Sequence, residues 1–161
     1  MIDKPALMDA VLASLASQAD AMRASAEETR KGATHEESRA ENDKDTRGLE
    51  ATYLARGQAM RVEELAQAAN TLRFLDLRAL GDDDAIGPGA LVTLSIDDAV
   101  RAIYFLVPVE GGSKVRVGDL DIQLVTPAAP LGRALLGKQV GDRFALRLAG
   151  RERDYEIDAV Q

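Results

Sequence analysis

The stretch LGDDDAIGPG, residues 80–89, lies between two parts of the chain whose hydrophobic patterns differ. Gly81 can end a helix, three consecutive aspartates repel one another, and Pro88 between two glycines cannot continue a helix. Before this stretch the apolar residues recur every three or four positions, and after it they alternate with polar residues. We therefore predict a helical domain over residues 1–80, a linker over 81–89 and a second domain over 90–161.

Two apolar seams precede the boundary, and both have the spacing of a coiled coil. Asp3 can cap the first helix, and the second seam follows Gly48. The polar break between them favours an antiparallel hairpin, with arms of roughly 30 residues and on the order of 45 Å. Alanines replace leucines in the seam towards the break. This predicts that the helices approach closely there and form a thin distal end, although an alanine-rich stretch can also simply be a stable helix. The seams are Met8, Leu12, Leu15, Ala19, Met22 and Ala26, and Ala51, Ala55, Gln58, Val62, Leu65, Ala69 and Leu72.

Beyond residue 89, alternating segments and turn residues predict a compact antiparallel sheet. Asp97-Asp98, Gly111-Gly112 and Gly150 mark the turns, and PLGRALLGK (130–138) predicts one short helix. The fold class is therefore α+β, an N-terminal antiparallel helical hairpin followed by a small sheet domain. The predicted strands lie in ALVTLSID (90–97), VRAIYFLVPV (100–109), SKVRVGDLDIQLV (113–125), RFALRLA (143–149) and RDYEIDAV (153–160).

Composition excludes several classes of function. The 161 residues include 20 Lys plus Arg against 27 Asp plus Glu, and a net charge of −7 argues against broad binding to a phosphate backbone. The absence of cysteine excludes disulfides, thiolate metal sites and cysteine nucleophiles, and is typical of the cytoplasm. No apolar run approaches the ~20 residues of a membrane span, and no signal peptide is apparent. We expect a cytoplasmic protein.

The segment GRALLGKQ, residues 132–139, has the glycine and lysine spacing of a phosphate-binding loop. Gln139 stands where such a loop needs Ser or Thr to hold magnesium, and RALL favours helix. We therefore predict a helical turn that covers the sheet and ends at Gly137.

The break between the helices, THEESRAENDKDTRG (34–48), is the most charged part of the chain. Its lone histidine, His35, lacks the spacing of a metal site and is expected to be a solvated loop residue. A charge run is usually a solvated face. At the tip of a hairpin, however, carboxylates can complete a Mg²⁺ site that another macromolecule mostly supplies. The carboxylates are Glu36, Glu37, Glu41, Asp43 and Asp45.

Three stretches resemble the Gre factors, the bacterial transcript-cleavage factors GreA and GreB. AEN (40–42) is similar to the family's SEN at the coil tip, and YLARGQAMRVEEL (53–65) has Gly57 where the family carries a glycine. APLGRALLGKQVGD (129–142), similar to SPLGRALLGKKVGD, is the most specific. The resemblance implies an N-terminal coiled coil followed by an FKBP-like C-terminal domain.

The resemblance also implies how the protein acts. In the family the coil enters the secondary channel of RNA polymerase, where acidic tip residues help to hold a second Mg²⁺ and the water that hydrolyses backtracked RNA. The protein would then be an accessory factor rather than an enzyme, with no cofactor of its own and Mg²⁺ shared with the polymerase. It would contact the RNA 3′ end indirectly, bind no specific DNA sequence and no membrane, and be a monomer.

This chain departs from the family at the tip, where the family pattern is GDLSEN and this chain has ESRAEN (37–42). Glu41 matches the family Glu, whereas Ser38 replaces the family Asp. Glu37 lies four positions before Glu41, on the same side of a helix or tight turn, and can substitute. We hypothesise that Glu37 and Glu41 carry the activity and ligate the metal in the complex. The accessory tip residues are Glu36, Asp43, Asn42 and Ser38.

Three alternatives remain. Ser38 is compatible with a channel occupant that does not cleave RNA and instead regulates or inhibits transcription. A plain interaction module would dimerise through the seams. Prolyl isomerase activity needs an aromatic-lined pocket, and the second domain is poorly supplied with aromatic residues. These are Tyr104, Phe105, Phe144 and Tyr155.

Overall fold

The computed structural model describes residues 2–36 and 44–161, with side chains at positions 2–32 and 48–161. The chain forms two compact units, one of Leu12–Asn70 and one of Met1–Val11 with Thr71–Gln161. The predicted fold class, a helical hairpin followed by a mostly antiparallel sheet with a short helix, is confirmed. The elements are α1 (Lys4–Glu36), α2 (Lys44–Arg73), β1 (Leu91–Ile96), β2 (Val100–Leu106), β3 (Lys114–Val117), β4 (Leu120–Val125), α3 (Pro130–Leu135), β5 (Arg143–Leu148) and β6 (Arg151–Val160).

The helices extend further into the charged break than the apolar pattern predicts. We expected the first helix to end near residue 30, but α1 continues to Glu36, so the prediction that His35 lies in a loop is wrong; α2 begins before Gly48, at Lys44. The added segments, 31–36 and 44–47, contain Lys, Arg, Ala and Glu, which favour helix, together with Gly32 and Thr34, which do not, and no apolar seam residue marks them. The predicted cap is confirmed, since the Ala6 amide donates to Asp3 Oδ1 at 3.3 Å.

The predicted seam is buried near the base of the hairpin and becomes shallower towards the break. Leu15, Ala19 and Leu65 are buried, whereas Leu12, Ala51 and Ala55 are only half-buried and Met22 is exposed, so the seam prediction is wrong at Met22. A polar contact links the two helices, in which Gln58 Nε2 donates to Ser25 Oγ at 2.8 Å. The gradient follows side-chain size, because alanine offers less apolar surface to bury than leucine.

The second helix ends at Arg73, well before Gly81, where the sequence predicts the stop. The next two backbone amides bond carbonyls three residues back, which tightens the last turn. The chain then leaves regular secondary structure, with Leu75 and Leu77 half-buried between exposed neighbours. A Cβ atom on Gly89 would overlap the backbone carbonyl of Asp76, so this segment passes close to the turn that leads into β1.

The six strands form one sheet in the order β3-β4-β2-β1-β6-β5. Every pairing is antiparallel except that of β2 with β4, which is parallel. Asp97 and Asp98 both have φ of 52°, so the predicted turn between β1 and β2 is of the primed type that suits a hairpin. Aspartate tolerates this left-handed conformation better than most residues.

The sheet unit has a continuous apolar core that includes part of the segment predicted as a linker. Within residues 81–89, Ile86 is 2% exposed. Its amide donates to the Lys138 carbonyl and its carbonyl accepts from the Gly137 amide, both at 2.9 Å. The domain boundaries at 80 and 90 stay a prediction. The core residues are Ile86, Ala90, Val92, Leu94, Ile96, Leu106, Val125, Leu131, Leu135, Tyr155, Ile157 and Val160.

Candidate functional site

The predicted tip joins the end of α1 at Glu36 to the start of α2 at Lys44. Most of its predicted residues lie outside the described part of the chain, and for Glu36 only the backbone is described. The assignment of metal-binding and catalytic roles to the tip therefore stays a prediction. The residues outside the description are Glu37, Ser38, Glu41, Asn42 and Asp43.

The exposed side of α1 that leads to the tip carries compensated charge. Glu27 pairs with Arg30 at 3.0 Å and with Lys31 at 3.7 Å, and all three side chains are at least 45% exposed. Exposed pairs of this kind contribute about 0–1 kcal/mol to stability. They make this surface hydrophilic more than they stabilise the helix.

The seam of the distal hairpin contains one buried polar atom without a partner in the described structure. Gln58 Oε1 accepts no hydrogen bond, although its Nε2 bonds Ser25. A polar residue at a single seam position fixes the register of paired helices at some cost in stability. Gln58, placed in the seam by its spacing alone, therefore holds the register on the tip side of the buried leucines.

No group of three His, Asp or Glu side chains in the described residues is arranged to hold a metal ion. The helices of the same part of the chain include none that is both long enough and apolar enough to cross a membrane.

The rejected phosphate-binding loop is a structural element, as predicted. α3 covers the sheet core, and Gly137 follows it with φ of 76°. A Cβ atom on Gly132 would overlap the Thr126 carbonyl, so close backbone packing explains this glycine. Lys138 Nζ lies 5.6 Å from the centre of the Phe144 ring, a cation–π contact. Glycine and lysine at this spacing therefore serve packing here.

The sheet unit also contains a cleft of about 370 Å³, and no charged side chain lines it. Burial, followed by the influence of Tyr155, raises the pKa of Tyr104, so its hydroxyl stays protonated and can donate a hydrogen bond. Phe144 does not line the cleft and stacks on Tyr155 with ring centres 5.2 Å apart. The lining residues are Tyr104, Gly111, Gly112, Gln123, Leu124, Val125, Thr126, Ala129, Pro130, Leu131 and Leu148.

Sequence reasoning missed a group of exposed apolar residues on α2. Leu49, Tyr53, Leu54 and Met60 are each more than half exposed and lie outside the predicted seam, and all but Leu54 share one face of the helix. The spacing of the three that share a face, four and seven positions, is the signal that would have found them.

Comparison with known proteins places the chain in a family. The family model of the C-terminal domain of the transcription elongation factors GreA and GreB matches residues 81–161. Transcription elongation factor GreA of Thioalkalivibrio sulfidiphilus is 25% identical over 101 residues, 63% of this chain and 61% of that protein. GreA of Mesorhizobium japonicum is 30% identical over 112 residues, 70% of this chain and 66% of that protein.

The matches thus span less than two thirds of the length of these curated relatives. Among solved structures, Gfh1 of Thermus aquaticus is 25% identical, with 91% of each chain covered and a TM-score of 0.40. The family model covers the whole sheet from the residues before β1 to the end of β6. The chain belongs to the GreA/GreB family of transcription elongation factors.

Proposed function

We propose that this protein binds RNA polymerase, inserts its hairpin into the secondary channel and stimulates the polymerase's own cleavage of backtracked RNA. Membership of the elongation-factor family supports the partner. The observation that carries the proposal is the hairpin itself. Helices of 33 and 30 residues flank the charged break in the sequence, and the burial of their seam decreases towards it. A narrow, long element that carries carboxylates at its end suits a confined reaction centre.

The chemistry would be shared between the tip and the polymerase. Mg²⁺ bound in the complex supplies Lewis-acid stabilisation and an activated water. Carboxylates are suitable ligands for it, and we assign this role to Glu41 and Glu37. Glu36 and Asp43 add negative charge nearby. We assign the protein the role of a monomeric cytoplasmic accessory factor, because the reaction needs a water-excluding site and the polymerase would supply it.

A second candidate function rests on Ser38. This residue stands where the family pattern has Asp, so one of two acidic positions is missing. A protein that occupies the channel without completing the metal site would compete with cleavage factors and inhibit or regulate transcription.

Backtracked elongation complexes of the cognate polymerase distinguish the two functions. We would measure binding and RNA cleavage with the wild-type protein and with Ser38→Asp, which restores the family's carboxylate. Wild-type stimulation above the polymerase alone supports the cleavage factor. Binding without stimulation, together with stimulation by Ser38→Asp, supports the channel occupant. Absence of binding to the polymerase refutes both.

A further inference from the structure

Three of the four large apolar side chains exposed on the described part of α2 lie along one face, and we name these three the distal stripe. The fourth, Leu54, is 55% exposed and lies about 100–140° further round the helix. Leu49 is 55% exposed, Tyr53 65% and Met60 56%. They follow one another at intervals of four and seven residues, so at 3.6 residues per turn they share one face of the helix. The stripe covers about 17 Å of helix length.

The distal stripe is not part of the contact between the two helices. The seam residues of the same stretch, Ala51, Ala55 and Val62, are half-buried. At about 100° per residue they lie roughly half a turn from the stripe. The distal part of α2 therefore has two apolar faces, one against α1 and one against solvent.

This second apolar face is confined to the part of α2 nearest the tip. Further along the same face, the helix carries exposed Glu64 and Gln67 instead. On α1, the exposed surface of the distal part carries ion pairs, such as Arg23 with Asp20 at 2.8 Å. Among the described residues of α1, the most exposed large apolar side chain is Met22, a predicted seam residue, at 36%. The distal part of α2 therefore presents three large apolar side chains, with charged Arg56 among them, whereas the exposed surface of α1 carries ion pairs.

A cluster of exposed large apolar side chains marks an interaction surface, and Tyr and Met are enriched at such surfaces. A second copy of this chain is a poor occupant, because a stable dimer buries about 1,200 Å² or more. The exposed surface of three side chains along about 17 Å of helix is well short of that buried area. Charged Glu50 and Arg56 lie between them and would limit a flat helix-to-helix contact. A small stripe suits a partner that surrounds the hairpin and contacts it elsewhere too.

We propose that the distal stripe packs against an apolar wall of the polymerase channel and sets the rotation of the hairpin about its own axis. The inference rests on the proposed function, since the channel is its setting. Beyond the proposed function, the inference names the face of α2 that contacts the channel and the apolar chemistry of the wall it contacts. The stripe on α2 is apolar and the exposed face of α1 is charged. An apolar wall on one side of the channel would therefore bury the stripe in only one rotation of the hairpin. That rotation would orient the tip carboxylates.

The test compares binding of the full chain to cognate core RNA polymerase at two salt concentrations. The stripe variant carries Leu49→Gln, Tyr53→Gln and Met60→Gln, because glutamine keeps high helix propensity. The matched control is Val100→Thr, which alters a side chain of the sheet unit that is also 55% exposed. We expect the stripe variant to bind at least about tenfold more weakly, with similar loss at both salt concentrations, and the control to bind like the wild type.

The remaining outcomes separate this inference from the proposed function. Equal binding of the stripe variant and the wild type overturns the inference and leaves the proposed function standing. A wild type that does not bind the polymerase overturns both. A wild-type dimer that becomes a monomer in the stripe variant shows that a second copy occupies the face, which also overturns the inference. If the stripe variant loses helix, Met60→Gln alone should weaken binding about two- to threefold, and unchanged binding overturns the inference.

Discussion

Replacing Gln58 by leucine should stabilise the helical hairpin. The Gln58 Oε1 atom is buried and accepts no hydrogen bond in the described structure. An unsatisfied buried polar group costs about 1–3 kcal/mol, and leucine would remove it from a seam position that suits an apolar residue. The substitution also removes the 2.8 Å bond to Ser25, which contributes about 0.5–1.5 kcal/mol. Ser25 is exposed and can bond water instead.

The balance is a gain of about 1 kcal/mol in the free energy of unfolding, equivalent to about 2–4 °C in Tm for a chain of this size. Urea unfolding followed by helical circular dichroism measures it. Gln18→Leu is the matched control. Like Gln58, Gln18 donates to a serine, here Ser14 at 3.4 Å in the same helix, but it is exposed and lies outside the seam. The control should change stability by less than about 0.5 kcal/mol. A midpoint for Gln58→Leu at or below that of the wild type would refute the reasoning.

Further predictions concern two glycines and the tyrosines. Gly132→Ala should destabilise the sheet unit by about 2 kcal/mol, because the new Cβ would overlap a backbone carbonyl, and an unchanged urea midpoint would contradict this. Gly57→Ala, with open space around its Cβ in a helix interior, should stabilise the chain by about 0.5–1 kcal/mol in the same assay. Burial raises the pKa of Tyr104 and Tyr155 above the ordinary 10.0. In Tyr53→Phe these are the two remaining tyrosines. An ultraviolet titration of this variant should therefore show phenol ionisation centred above pH 10. Unfolded phenols ionise first, so the free energy of unfolding should fall as the pH rises past 10; midpoints at or below 10 would disprove this.

The hairpin could be predicted because its seam is a local pattern repeated over many residues. The ends of its helices could not, because Lys and Glu continue a helix without an apolar residue to mark it. The end of α2 was predicted too late for a related reason. Leu75 and Leu77 are apolar and fit a helix as well as an extended segment, and the choice depends on packing near Gly89.

In the sheet, turn residues located the hairpins, since Asp97-Asp98 and Gly150 suit the left-handed conformations that tight turns require. The parallel pairing of β2 with β4 is a contact between distant segments and has no local signal. The roles of Glu37 and Glu41 rest on resemblance together with position at a tip. The distal stripe was missed because the seam accounts for only one face of each helix.

Cleavage of RNA in backtracked elongation complexes tests the central claim most directly, with wild-type protein, Glu41→Ala and the control Glu50→Ala. Glu50 is an exposed carboxylate on α2 outside the tip, so its loss removes the same charge from a different place. The account predicts that the wild type and the control stimulate cleavage and that Glu41→Ala does not, while all three bind the polymerase. Full stimulation by Glu41→Ala, or stimulation by none of the three, would contradict it.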